Sequence, residues 1–129
     1  LAPGAGFLTN TVDPDTLPPW MTAEDLAYYA GEYNRTGFRG GLNWYRAIRR
    51  NTELMAPWRG AVIRQPSLFI AGERDGVLRF PASKAQIERY PSTLPGLRGC
   101  HILPGAGHWI QRERADEVNG LLVEFLRNV

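Results

Sequence analysis

Cysteine is almost missing from this sequence. Cys100 stands alone among 129 residues, which excludes a disulfide framework and a cysteine metal cluster and makes a reducing, cytoplasmic compartment the expectation. Lysine is almost missing too, because arginine supplies all of the 15 basic residues except Lys84. The arginines are scattered, the densest group being Arg46, Arg49 and Arg50, and the net charge is only +2. With no basic stripe and no interleaved stacking aromatics, nucleic acid is excluded as a partner. No apolar run approaches the roughly 20 residues that cross a bilayer, so no membrane span is expected. Neither a basic leader nor a signal-peptide hydrophobic region opens the sequence, and a chain without a targeting segment is expected. The length suits one ordinary domain, large enough to bury a core.

What is present is organised around the stretch from Pro66 to Trp109. Ser67-Leu68-Phe69-Ile70-Ala71 is an apolar run that breaks into Gly72-Glu73-Arg74-Asp75-Gly76. A second run, Cys100-His101-Ile102-Leu103, breaks into Pro104-Gly105-Ala106-Gly107-His108-Trp109. Runs of this length between turn residues suit strands buried on both faces, as in a parallel sheet. Ala82 to Tyr90 reads as a helix with Pro81 at its first position. A strand-helix-strand unit sends both loops to the carboxyl edge of the sheet, where ligands of open α/β sheets bind. An acid, Asp75, and an imidazole, His108, lie 33 positions apart on those loops. They can therefore meet, and a carboxylate orienting a histidine is two-thirds of a hydrolytic triad. No nucleophile accompanies them in a recognisable setting.

The flanks are helical. Leu1 to Pro19 is loop by its Gly, Pro, Thr and Asp content. Thr22-Ala23-Glu24-Asp25 is a capping signal for a helix to about Thr36, with Leu26, Tyr29, Ala30 and Tyr33 on one stripe and Gly37 as its stop. Phe38 to Gly41 is a tight link into a second helix, Leu42 to about Met55, striped by Leu42, Tyr45, Ile48, Thr52 and Met55 and ended by Pro57. The last helix, about Arg114 to Arg127, carries Val118, Leu121, Leu122, Phe125 and Leu126 on one face. Asp116 and Glu117 in its first turn and Arg127 in its last suit the helix dipole. Two parallel strands are too few for a stable sheet, so the segment reads as the tail of a larger sheet whose earlier strands lie upstream.

The stretches Gly37-Phe38-Arg39-Gly40-Gly41-Leu42-Asn43-Trp44-Tyr45-Arg46, Gly72-Glu73-Arg74-Asp75 and Gly105-Ala106-Gly107-His108-Trp109 resemble, in order and spacing, the C-terminal part of soluble epoxide hydrolases, of the α/β-hydrolase fold. The resemblance covers essentially the whole chain. The Asp and His loops occur in many α/β-hydrolases, whereas the Phe-Arg-Gly-Gly-Leu-Asn-Trp-Tyr stretch is far more specific. It implies an α/β fold in which residues 1–57 form the second half of a helical cap. Residues 58–129 would then form the end of the core, with strands seven and eight and the final helix. It also implies that Tyr45 hydrogen-bonds and protonates the epoxide oxygen, that Asp75 is the acid of the triad and that His108 is its base. The nucleophilic aspartate, the oxyanion loop and a partner cap tyrosine would all lie upstream of Leu1. The implied reaction is hydrolysis of a small hydrophobic epoxide by water to a vicinal diol, without cofactor or metal.

The chemistry asks for these residue types. A carboxylate that opens an epoxide leaves an alkoxide in need of a proton, and a phenol stays protonated at neutral pH and can supply it. The ester so formed is hydrolysed by a water that an imidazole deprotonates, with the acid holding the tautomer. Trp109 and Val77 flank the key residues and are expected to line the pocket. Trp44 is assigned to the core, Glu73 and Arg74 to a solvated loop pair, and His101 to a strand without chemistry. Rival readings are a haloalkane dehalogenase, which Tyr45 argues against, an esterase with an upstream serine, and a non-catalytic assembly module. The partner expected for the chain is the upstream half of the same fold, and its unpaired apolar strand edge is expected to promote self-association.

Overall fold

The computed structural model describes Gly4, Thr9 and residues 11–129. Most of the predicted N-terminal loop thus lies outside the described residues, and residues 11–19 contain bends and turns only. The first helix, α1 (Ala23–Thr36), begins as its signal demands. Thr22 accepts from the Asp25 N–H at 3.0 Å while Asp25 accepts from the Thr22 N–H at 2.9 Å. Gly37 ends it at φ 67, its N–H bonded to the Tyr33 carbonyl, and the next residue stacks Phe38 on Tyr33 with centroids 4.5 Å apart. A positive φ is where glycine alone costs nothing, which is why this stop was legible.

The second predicted helix differs from expectation. It starts earlier, as α2 (Arg39–Arg46), and passes through a turn at Ala47 into α3 (Ile48–Leu54) and a 3₁₀ turn, Ala56–Trp58. Gly40 and Gly41 lie inside it, although a glycine costs a helix about 1 kcal/mol relative to alanine. That penalty is what made the pair read as a link. The interruption at Ala47 leaves the hydrogen-bond ladder running, since Ala47 still donates to Asn43 and Asn51 to Ala47 across it.

Strand β1 (Ser67–Gly72) runs parallel to β2 (Leu97–Leu103), with Leu68 opposite Gly99 and Gly72 opposite Leu103. Strand β2 begins three residues before the apolar run, because Arg98 and Gly99 hide a strand start that pattern alone does not reveal. Between the strands lie a 3₁₀ turn (Gly76–Arg79), α4 (Pro81–Glu88, with Pro81 at its start) and an unforeseen single turn, α5 (Tyr90–Thr93). Pro91 cannot continue α4 and opens the new turn instead. It leaves Tyr90 edge-on to Phe69, with centroids 5.2 Å apart. After β2 come a short α6 (Ile110–Glu113) and α7 (Ala115–Arg127).

The core is small. Leu103, Ala106 and Val118 are buried together, with Ile70, Ile110 and Leu121 packed around them, so α7 sits on one face of the strand pair. The other face of β2 is open, with Cys100 and Ile102 exposed, and the expectation of burial on both faces fails for that strand within this chain. Leu122 and Leu126 of α7 are exposed as well. None of α1, α2 or α3 buries a residue. Trp44, assigned to the core, is 77% exposed, because the apolar stripes of these helices meet no second layer in this chain.

What ties the helical segment to the sheet is polar. Arg112, on α6, pairs with Asp25 at 2.9 Å and donates to the Trp20 carbonyl at 3.4 Å. The Thr22 N–H, followed by its hydroxyl and then by Arg112, outweighs the opposing effect of desolvation and holds the Asp25 carboxyl below the usual carboxylate range.

Candidate active site

The two loops that leave the carboxyl ends of β1 and β2 are joined to each other before either side chain is considered. The Glu73 N–H donates to the Leu103 carbonyl at 3.0 Å and the Arg74 N–H to the Ala106 carbonyl at 2.8 Å. The Glu73 carboxylate accepts from the Gly105 N–H at 2.9 Å. Glu73 is therefore a brace between the loops, not half of a solvated pair. Gly72 makes this approach possible. A Cβ there would run into the backbone carbonyls of Ala106 and Gly107, neither of which can swing aside. Gly105 turns the second loop at φ 70, and Ala106, 2% exposed, plugs it into the core. Gly72→Ala is accordingly expected to destabilise the folded protein by at least the roughly 1–3 kcal/mol of an overpacked core. An unchanged urea midpoint would contradict this.

On that frame Asp75 and His108 meet. The Asp75 Oδ2 lies 2.9 Å from His108 Nδ1, and its Oδ1 accepts from the Val77 N–H at 2.8 Å. Both carboxylate oxygens are thereby committed. Asp75 also caps the 3₁₀ turn that follows, and its backbone is held separately, its N–H donating to the Gly72 carbonyl and its carbonyl accepting from the Leu78 N–H, both at 3.0 Å. Desolvation pushes the Asp75 carboxyl up, but the Val77 N–H and the His108 ring, by hydrogen bond and charge, together bring it below its ordinary value. An ionised acid accepts from Nδ1–H, which leaves Nε2 as the basic nitrogen. The Asp75 side chain is 14% exposed and that of His108 56%, so the acid is sheltered while the imidazole faces outward. Trp109 stands edge-on to the His108 ring, with centroids 5.1 Å apart.

The structure thus brings Asp75, His108, Trp109 and Val77 together, Val77 also contributing a backbone donor. Tyr45 stands apart. It lies on α2, 73% exposed, and no hydrogen bond joins it to Asp75 or His108 among the described residues. His101 lines a groove of about 420 Å³ with Leu68, Leu121 and Phe125, one that neither Asp75 nor His108 lines. Sequence reasoning missed two carboxylates, Glu73 and Glu113. Glu113 accepts from the N–H groups of Gly107 at 2.6 Å and of Trp109 at 3.0 Å. The available signal was an acid four residues beyond a Gly-rich loop, within reach of its amides. Among the described residues no group of three or more His, Cys, Asp and Glu could hold a metal, and no helix is long and apolar enough to cross a membrane.

No protein-family model matches the chain. Individual proteins do. Epoxide hydrolase A of Mycobacterium tuberculosis is 46% identical over 127 residues, which is 98% of this chain and 38% of that protein. Epoxide hydrolase 1 of Siraitia grosvenorii is 42% identical over 88% of the chain and 37% of its own length. Among solved structures, a Vigna radiata epoxide hydrolase mutant superposes with a TM-score of 0.85 at 37% identity, over 90% of this chain and 37% of that one. Potato (Solanum tuberosum) epoxide hydrolase I gives 0.81 at 37% identity, over 86% of this chain and 35% of that one. The chain spans a little over a third of the length of the relatives it matches. In sequence and in fold, it corresponds to a C-terminal portion of the α/β-hydrolase fold of the epoxide hydrolases.

Proposed function

We propose that this chain supplies the base, the orienting acid and a lid tyrosine to an epoxide hydrolase, in which residues 1–57 serve as lid and residues 58–129 as the end of the core. The observation that carries the reading is the 2.9 Å pairing of His108 Nδ1 with Asp75, in a chain 46% identical to Epoxide hydrolase A. The substrate is a small hydrophobic epoxide together with water, and the partner is the upstream half of the same fold, which provides an aspartate nucleophile and the oxyanion donors. The setting is the cytoplasm, where a lone cysteine stays reduced.

An oxygen of the upstream carboxylate bonds to an epoxide carbon as the ring C–O bond breaks, and the phenol of Tyr45 transfers its proton to the departing oxygen. A hydroxy-ester and a tyrosinate result. Water then loses a proton to His108 Nε2 as its oxygen adds to the ester carbonyl carbon. Asp75 stabilises the imidazolium, and upstream amides hold the oxyanion. The carbonyl carbon–oxygen bond to the substrate breaks, the imidazolium returns its proton to the diol oxygen, and the proton left on the regenerated carboxyl restores Tyr45. No step calls for a cofactor.

Isotope labelling tests the ester. In water enriched in ¹⁸O, with the complete enzyme in excess over epoxide, the diol of the first turnover should carry no label and the label should appear in the protein. Labelled diol in that first turnover would mean direct attack by water, and the ester mechanism would be wrong.

A further inference from the structure

The geometry points to Glu113 as the positioning residue of His108. This inference rests on the reading of His108 as the base that hydrolyses the ester. The carboxylate of Glu113 spans the histidine from beneath, one oxygen accepting from the residue before it and the other from the residue after it. Two charge-assisted hydrogen bonds fix the peptide plane that joins Ala106 to Gly107 and the one that joins His108 to Trp109. The second of these adjoins His108 Cα and the first lies one residue before it, so together they limit the direction of the Cα–Cβ bond. On the far side Glu73 holds Gly105 and the Arg74 N–H holds the Ala106 carbonyl, so the loop is pinned at successive residues up to the histidine. His108 itself has only the single bond to Asp75 and its edge contact with Trp109. An imidazole that is 56% exposed has little packing to keep it in place, and the backbone beneath it performs that task. Gly107 belongs to the same device. A methyl at its Cα would stand 2.9 Å from Glu113 Oε1, so an alanine there would push the end of that carboxylate out of its present place.

Glutamine at position 113 keeps the size but offers one acceptor and turns an N–H₂ toward the second amide, so one of the two bonds is lost. Misplacement of a reacting group by about 1 Å can cost on the order of 10²-fold in rate. The step affected is the one His108 performs. In the complete enzyme, Glu113→Gln should alkylate at the parental rate and hydrolyse the ester roughly 10²-fold more slowly, so that the intermediate accumulates and is seen by mass spectrometry. Gly107→Ala, which displaces the carboxylate from the opposite side, should give the same split and decides the matter if the first variant does not fold. A merely structural role would lower both half-reactions together, and that result would overturn the assignment. Parental hydrolysis in both variants would overturn it equally. His108→Gln, measured alongside, separates the two ideas. Failure of that variant to accumulate ester removes the base assignment itself, whereas an intact His108→Gln signal with parental Glu113→Gln removes only the role of Glu113.

Discussion

Replacing His108 with Gln in the complete enzyme should leave epoxide opening intact and all but stop release of diol. In the proposed mechanism the two half-reactions use different residues of this chain, and only the second needs a base. General base catalysis contributes about 10²–10⁴-fold, and the effect here should lie at the upper end, because water has no other imidazole to turn to at the dyad. His108 Nδ1 is occupied by Asp75, and His101 lies in a groove that neither Asp75 nor His108 lines. Mass spectrometry after mixing with substrate should therefore show a protein heavier by one epoxide. A variant that neither gains this mass nor turns over would assign His108 to structure alone.

Tyr45→Phe should strike the opposite half. The ring, and with it any packing, is kept, and the hydroxyl proposed to protonate the epoxide oxygen is removed. The expected loss is again about 10²–10⁴-fold, now in the formation of the ester, with hydrolysis unaffected. The partner tyrosine of an upstream lid would draw the value toward the lower figure. Tyr45 is 73% exposed in this chain, and exposed substitutions usually change stability by less than about 0.5 kcal/mol. A fall in rate with an unchanged melting temperature would isolate the chemistry of the hydroxyl. Parental single-turnover alkylation by the variant would remove Tyr45 from the mechanism.

The dyad was legible in the sequence because a strand-helix-strand unit leaves little choice about where its two exit loops go. The loops are also written in residues with few alternative uses: Gly72 for close approach, Gly105 for a positive φ, and an acid and an imidazole each three residues beyond. Helix α1 was equally plain, since Thr22, Asp25 and Gly37 mark both of its ends. Less plain were features decided by partners remote in sequence. Glu73 looks like any surface acid until an amide of the other loop comes within reach. The start of β2 at Leu97 depends on pairing with Ser67, across a shift in register. The apolar stripes of α2 and α3 announce burial, yet Trp44 and Tyr45 are exposed here. A stripe records that a surface is to be covered, and the covering layer belongs to other residues.

The acid and the base are drawn from one short, continuous piece of backbone, 33 positions from one to the other. The closure entropy of so small a loop is modest, and the bonds that join the two loops to each other and brace the histidine arise between β1 and α6. Order of assembly and tolerance to cleavage follow from this. The pair can form as soon as the second strand docks on the first, ahead of any lid. A backbone cut in the region between the helical segment and β1 separates Tyr45 from the dyad without separating acid from base. In the proposed mechanism such a cut keeps the two proton-handling residues on one piece, while the attacking carboxylate and the proton donor come from others.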